Sequence, residues 1–299
     1  MPLLQLISTA PRAGKTTVAA GLAQGFAREG RHVDLLRVGA SEAAADDART
    51  FASYLFASAP AEPVPREPLK AAPDRVVVVE IDAGDEPLDA PAVVVVRGGP
   101  SADDAALGKR LGGRLIGSIA TVVPFSAIED VARALTNADL RPLAVMPEDT
   151  CLAAPSVEDI RHALAADVLH EGENFQVAIE NLLVAPVYTD GAKVHFRRYR
   201  GTAAVLAPSY KTDLLLAAIE AEASCVIVTG GHQPSHYVID RVEREPVTLL
   251  LAQHQTLAAV SALSDVWTAS AFAGEAKAEA VFALLESRID WAALIKKLA

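Results

Sequence analysis

Residues 3–18 read Leu3-Leu4-Gln5-Leu6-Ile7-Ser8-Thr9-Ala10-Pro11-Arg12-Ala13-Gly14-Lys15-Thr16-Thr17-Val18. A short apolar run, the form of a buried strand, enters a turn-forming segment. A helical pattern follows, with Val18, Leu22 and Phe26 on one stripe, and Gly30 is placed to end it. A helix that begins at such a turn offers unpaired N–H groups and the positive end of its dipole, so phosphate settles there. Gly14 lets the backbone approach closely, Lys15 brings a point charge to the outer phosphates, and the Thr16 hydroxyl is placed to ligate magnesium. Residues Ala10, Pro11, Arg12, Ala13, Gly14, Lys15, Thr16 and Thr17 are therefore the expected nucleotide-binding residues. The phosphate-loop pattern has a glycine five residues before Gly14, and here Thr9 holds that place.

Working outward, further apolar runs at 33–38, 76–80, 92–96, 115–121 and 143–146 alternate with helical patterns. Runs without polar alternation suit strands covered on both faces, so the expected architecture is α/β, a parallel sheet with helices on both sides. A Pro- and Ala-rich stretch, 57–73, interrupts the plan and reads as a long surface loop or a shortened insertion. A second series follows: strands at 203–207, 225–229 and 247–252, each leading into a helix, which predicts a second, smaller parallel sheet. The pattern divides the chain into a nucleotide-binding domain at 1–154, a second α/β domain at 155–270 and a helical tail at 271–299.

Of the 299 residues, 51% are hydrophobic and 22% charged, and the formal net charge is −11. A chain this acidic lacks the basic face that nucleic acid or an anionic membrane surface requires. No run approaches the ~18 apolar residues of a membrane span, and residues 1–10 lack the pattern of a signal peptide. The two cysteines, Cys151 and Cys225, are isolated, which suits a reducing compartment, and a cytoplasmic location is expected.

The loop around Lys15 resembles that of the dethiobiotin synthetase and cobyrinic acid synthetase branch of P-loop proteins, whose loops also depart from the simple pattern. The resemblance covers about the first half of the chain. It implies ATP (or GTP) with Mg2+, and a metal held by Thr16, Asp47 and Glu80. The family places one magnesium aspartate in the loop after the second strand, where Asp46 and Asp47 stand; a charge pair at a helix N-terminus is an equal reading of those two. Glu80, with Asp82 beside it, ends the third strand, where the family places its second magnesium carboxylate. The family's synthetases activate a carboxylate or carbamate, using a lysine at the end of the second strand. Here Arg37 stands there, and Lys15, Arg37 and Glu80 are the candidates for any such catalysis. The asparagine that reads adenine in relatives is replaced by Thr121.

The segment 147–169, with the second strand–helix series after it, resembles the join in bacterial phosphate acetyltransferases between a dethiobiotin-synthetase-like domain and a DRTGG domain. The Asp-Arg of that name is Tyr210-Lys211 here, whereas Thr212-Asp213 and Thr229-Gly230-Gly231 remain. The acetyltransferase catalytic domain has no counterpart in these 299 residues. The resemblance implies a regulatory, ligand-sensing protein without acetyltransferase activity. A homo-oligomer is expected, with a metabolic enzyme as a further expected partner, and neither nucleic acid nor membrane is expected as one. An ATP-dependent carboxylate–amine ligase and a scaffold with a degenerate loop are the alternatives. Lys211, Thr212, Asp213, Thr229, Gly230 and Gly231 are the ligand candidates of the second domain, at the strand ends where open parallel sheets bind ligands; a tight turn without a ligand is the plainer alternative. His232 and His236 read as surface histidines, Arg197, Arg198 and Arg200 as a solvated cluster, and Cys225 as a core residue.

Overall fold

The computed structural model describes residues 3–66, 69, 75–173, 175–185, 191–269 and 271–298. They form two compact units, Met1–Leu152 with Lys277–Ala299, and Ala153–Ala276.

In the first unit, β1 (Leu3–Ile7), α1 (Lys15–Arg28), β2 (His32–Arg37), α2 (Glu42–Ala52), β3 (Arg75–Glu80), β4 (Ala92–Arg97), α3 (Ala102–Leu111), β5 (Leu115–Val123), α4 (Ile128–Asn137), β6 (Pro142–Pro147) and α5 (Thr150–Ala153, which ends one residue into the second unit) follow in order. The six strands form one sheet in the order β2-β3-β1-β4-β5-β6, every pair parallel. From β1 the chain first builds one side of the sheet and then crosses to the other. The carboxyl end of β1 is therefore the point at which an open sheet of this kind forms a crevice. The valine runs of β3 and β4 are buried on both faces, as their lack of alternation predicts.

Gln5 is a polar residue in the middle of β1. Its Nε2 donates to the carbonyls of Leu88 (2.8 Å) and Ala90 (2.7 Å), and its Oε1 accepts from the Leu88 N–H at 2.8 Å. The buried amide thus fixes the segment leading into β4. The described part of the stretch 57–73 runs beside β2: the Leu35 N–H donates to the Ser58 carbonyl at 2.9 Å, the Ser58 N–H to the Val33 carbonyl at 2.8 Å, and the Val64 N–H to the Arg37 carbonyl at 2.8 Å. The rest of that stretch lies largely outside the described residues.

Helix α1 is buried almost all round from Val18 to Phe26. One side rests on β1, β2 and β3. The other receives the last two helices, α12 (Glu275–Glu286) and α13 (Trp291–Leu298). A side chain at Gly25 would stand 1.9 Å from the Trp291 ring, and one at Gly21 would stand 2.7 Å from Leu285. Gly21 and Gly25, one turn apart, form the groove into which these helices fit. Trp291 meets Phe26 edge-to-face at 5.8 Å, a geometry that adds to area burial. Gln24 donates to Glu279 at 2.6 Å across the same contact.

The second unit contains α6 (Val157–Leu164), β7 (Asp167–His170), β8 (Asn181–Val184), α7 (Ala192–Arg197), β9 (Ala203–Pro208), α8 (Thr212–Glu220), β10 (Cys225–Thr229), α9 (His236–Val242), β11 (Thr248–Leu251), α10 (Thr256–Leu263) and α11 (Val266–Ala269). The three expected strands are β9, β10 and β11. Two short edge strands extend them into a five-stranded sheet, β7-β11-β10-β9-β8, in which β7 is antiparallel. The sheet is therefore mixed, where the sequence predicts three parallel strands alone. Alternate residues fill opposite faces. Val205, Val226, Val228 and Leu249 pack with Phe196, Leu215 and Val238, while Leu206, Cys225, Ile227 and Leu250 pack with Ile160, Leu164 and Leu263. Burial pushes the Cys225 thiol far above the usual range, in keeping with an inert core position.

Candidate functional site

The sequence candidates of the first unit converge at the carboxyl ends of β1, β2 and β3. Gly14 adopts φ 88°, a left-handed conformation at the start of α1 that glycine takes without strain. The Gly14 side faces Thr121, and a Cβ there would meet Thr121 Cγ2 at 3.1 Å. Thr121 itself is buried, and its hydroxyl donates to the Ala13 carbonyl at 2.8 Å. Thr121 thus braces the loop.

Thr9, at the place of the missing glycine, donates to Asp104 Oδ1 at 2.6 Å. Asp104 is the third residue of the capping box that Ser101 opens on α3. The substitution therefore ties the loop to α3. Ala10, Pro11 and Arg12 form the exposed part of the loop, Ala13 is buried, and Gly14, Thr16 and Thr17 are half-buried. The Arg12 carbonyl accepts from Arg97 at 3.3 Å.

Lys15 is 7% exposed, and its Nζ lies 3.0 Å from Ser8 Oγ, which in turn donates to the Ala10 carbonyl at 2.7 Å. Burial lowers the Lys15 pKa, and the nearby Glu80 charge opposes that fall. Thr16 Oγ1 stands 3.2 Å from Asp47 Oδ1 and 3.1 Å from Glu80 Oε1. A hydroxyl has one proton, so it serves one carboxylate at a time. Asp46 and Asp47 belong to α2 rather than to a loop. Helical geometry turns Asp47 toward Thr16 and leaves Asp46 outside, paired with Arg49.

Glu80 is fully buried, and its pKa is pushed up to about 7, first by burial and then by the Asp47 charge, with Arg37 and Lys15 pulling the other way. Its second oxygen, Oε2, is buried without a hydrogen-bond partner. Arg37 is 4% exposed and lies among the acids: Nε donates to Asp47 at 3.0 Å, Nη2 to Asp82 at 2.5 Å, and Nη1 to the Val38 carbonyl. The sequence does not reveal this pairing. Ser8, Asp104 and the bracing role of Thr121 were also missed; the Ser101-x-x-Asp104 spacing is the one available signal for them.

The donor set fits a hydrated magnesium ion bound with a nucleotide. Two carboxylates and a hydroxyl supply hard oxygens, and the unpartnered Glu80 oxygen is the kind of acceptor a cation or its water would satisfy. Among the described residues, no group of three or more His, Cys, Asp or Glu side chains could hold a metal unaided. Phosphate oxygens and water would therefore have to complete the coordination.

In the second unit, Lys211, Thr212 and Asp213 follow β9, and Thr229 ends β10 with Gly230 and Gly231 after it, all at one end of the sheet. Thr229 Oγ1 and Thr256 Oγ1 share a hydrogen bond of 2.7 Å, and Thr212 reaches Ser235 at 3.4 Å. The Gly230 N–H donates to the His254 carbonyl at 2.8 Å, and the Gly231 N–H to the Ala252 carbonyl at 3.1 Å. Both glycine amides are thus satisfied by the loop after β11. Lys211 is half-buried beside this mouth, with its ammonium 5.9 Å from the Tyr210 ring centre.

Residues 159–266 match the DRTGG domain model. The matched stretch runs from α6 to the start of α11, so the DRTGG region accounts for almost all of the second unit. A phosphate acetyltransferase of Nitratidesulfovibrio vulgaris is 23% identical over 162 residues, a match that covers 50% of this chain and 22% of that protein. The chain therefore spans about a fifth of that relative's length. The crystal structure of the CBS and DRTGG domains of the regulatory region of Clostridium perfringens pyrophosphatase, complexed with the activator diadenosine tetraphosphate, matches 40% of this chain and 51% of its own. The identity is 22% and the TM-score 0.34. Among the described residues, no helix is long and apolar enough to cross a membrane.

Proposed function

We propose that this is a regulatory protein whose first unit is a dethiobiotin-synthetase-like P-loop domain that binds ATP or GTP with Mg2+. The DRTGG unit is its ligand-sensing or assembly module. On this reading the chain corresponds to the non-catalytic part of a phosphate acetyltransferase. It works in the cytoplasm as a homo-oligomer, and nucleotide occupancy changes its assembly or its contact with a metabolic enzyme.

The observation that carries the reading is the cluster of buried Lys15 and Glu80 with half-buried Thr16 and Asp47, in which one Glu80 oxygen is unpartnered. Leaving a buried polar atom unsatisfied costs ~1–3 kcal/mol, a cost that a bound ligand offsets. Lys15 and the open amides of the loop would receive the phosphates, while Thr16, Asp47 and Glu80 would orient the hydrated ion. That ion would draw charge from the outer phosphates. Its arrival favours the ionised form of Glu80, so binding releases a proton near neutral pH. The ligase alternative is weaker because the donors of Arg37 are engaged by Asp47, Asp82 and the Val38 carbonyl, which leaves little for an activated substrate. A degenerate loop is the less economical reading of a buried lysine.

Calorimetric titration of ATP and GTP with Mg2+ into wild type and Lys15→Ala tests the proposal. Loss of a charged phosphate contact costs about 1.5–3 kcal/mol, at least a tenfold weakening. Saturable binding that the variant loses supports the reading and names the base. A flat titration in wild type rejects it. If nucleotide binds but alters neither the sedimentation coefficient nor protease sensitivity, the regulatory part fails alone.

A further inference from the structure

Arg37 ends β2 and is the register partner of Glu80 on β3, so the two side chains leave the sheet on one face. Its Nε lies 3.0 Å from Asp47 and 3.9 Å from Glu80, and its Nη2 lies 2.5 Å from Asp82. One buried guanidinium therefore meets carboxylates from α2, from β3 and from the segment after β3. Nη1 donates to the Val38 carbonyl, so all three nitrogens are engaged. The backbone is shaped to allow this. Gly39 adopts φ 150°, and a Cβ there would stand 2.5 Å from Asp82 Oδ2. The missing side chain at position 39 is what lets Asp82 close on Arg37.

Arginine cannot give up its charge in a protein, and buried charges are screened far less than exposed ones. Lys15 stands within electrostatic reach of the same acids. Two bases thus face three acids, which leaves no more than a single negative charge for a divalent ion to meet. Asp47 and Glu80 reach Thr16, whereas Asp82 is turned to Arg37. Magnesium sheds its water reluctantly and takes few protein ligands, with phosphate oxygens supplying the rest. We infer that Arg37 is a specificity-determining counter-ion that holds the acids in the place of a metal, so that a divalent cation enters only together with phosphate. The inference rests on the nucleotide-binding reading above for the phosphate, and on Arg37 alone for the exclusion of the free ion.

The test is equilibrium dialysis of the full chain against Mn2+, with and without inorganic tripolyphosphate. Wild type should retain Mn2+ saturably with tripolyphosphate and not without it. Arg37→Gln should retain Mn2+ without phosphate, with an affinity about tenfold or more above any wild-type binding. Arg37→Lys, which restores the charge, should behave as wild type. Asp82→Asn removes an acid instead of a base, at a side chain 31% exposed. It should weaken Mn2+ retention with tripolyphosphate about tenfold. Opposite signs in Arg37→Gln and Asp82→Asn mark a charge effect, since a merely structural role would weaken metal binding in both. The inference is overturned if wild type retains Mn2+ without phosphate, if folded Arg37→Gln gains nothing, or if Arg37→Lys gains as much as Arg37→Gln. If circular dichroism shows Arg37→Gln unfolded, Asp82→Asn decides, and unchanged retention there overturns the inference. Wild type that takes no Mn2+ with either tripolyphosphate or nucleotide would count against the nucleotide-binding reading, while the phosphate-free gain in Arg37→Gln is read independently of it.

Discussion

Each unit presents a mouth at the carboxyl ends of its parallel strands, and the two are closed in different ways. Around Lys15 the backbone is braced by side chains from outside the loop, Thr121 to the Ala13 carbonyl and Asp104 to Thr9, while ionisable groups are buried with an acceptor left over. Around Gly230 the loop amides are spent on the carbonyls of Ala252 and His254, and the Thr229 hydroxyl on Thr256. Both loops are glycine turns at strand ends and look alike in sequence. What separates them is where the polar groups find partners. The first mouth buries Lys15 and Glu80 and leaves Glu80 Oε2 unpartnered, while the second spends its glycine amides on backbone carbonyls and leaves the buried His254 Nδ1 without a partner.

The largest effect that separates the units should come from the closing helices. Trp291→Ala removes a ring seated in the Gly25 groove, and large-to-small changes of this kind cost ~3–5 kcal/mol. Denaturant unfolding should show the first unit melting early, while the thiol of Cys225, in the second unit's core, stays protected from labelling until the second unit unfolds. Equal loss in both would merge the two units into one cooperative body.

Next comes pH. The folded pKa of Glu80 is raised from 4.5 to about 7, so the folded state holds the proton more tightly than the unfolded chain does. Its stabilising contribution is complete below about pH 4.5 and is lost as pH rises through 7, a change on the order of 3 kcal/mol. Stability curves of wild type should fall across that window, and Glu80→Gln should flatten them. Nucleotide affinity should run the opposite way, rising from pH 6 to 8, because the bound ion selects the carboxylate.

A smaller effect is expected from Thr121→Val, which deletes the brace to the Ala13 carbonyl. It should cost ~0.5–1.5 kcal/mol of stability, and the affinity for nucleotide should fall by less than in Lys15→Ala. The smallest belongs to the second mouth: Lys211→Ala should leave nucleotide affinity within about twofold. A larger loss would move the nucleotide site to the DRTGG region.

The sequence makes the strand-turn-helix of 3–28 legible because an apolar run, Gly14-Lys15-Thr16 and a periodic stripe agree on one local structure. The valine runs announce the central strands for the same reason. β7 and β8 were missed because four residues at a sheet edge, exposed or half-buried, give no pattern to read. Nor does periodicity say what covers a helix: the use of Gly21 and Gly25 shows only where α12 and α13 fill the groove they leave. At the site, Lys15 and Thr16 come from the motif and Asp47 and Glu80 from the family resemblance, and the structure puts Asp47 and Glu80 within reach of Thr16. The capture of Arg37 by Asp47 and Asp82 was not legible, since it depends on which side chains three separate strand ends bring together.

Hydrogen exchange with and without saturating ATP or GTP and Mg2+ compares the two mouths within a single sample. The account predicts slowed exchange of the amides of residues 10–18 and unchanged exchange at 229–231. Slowed exchange confined to 229–231, or at neither mouth, would contradict it.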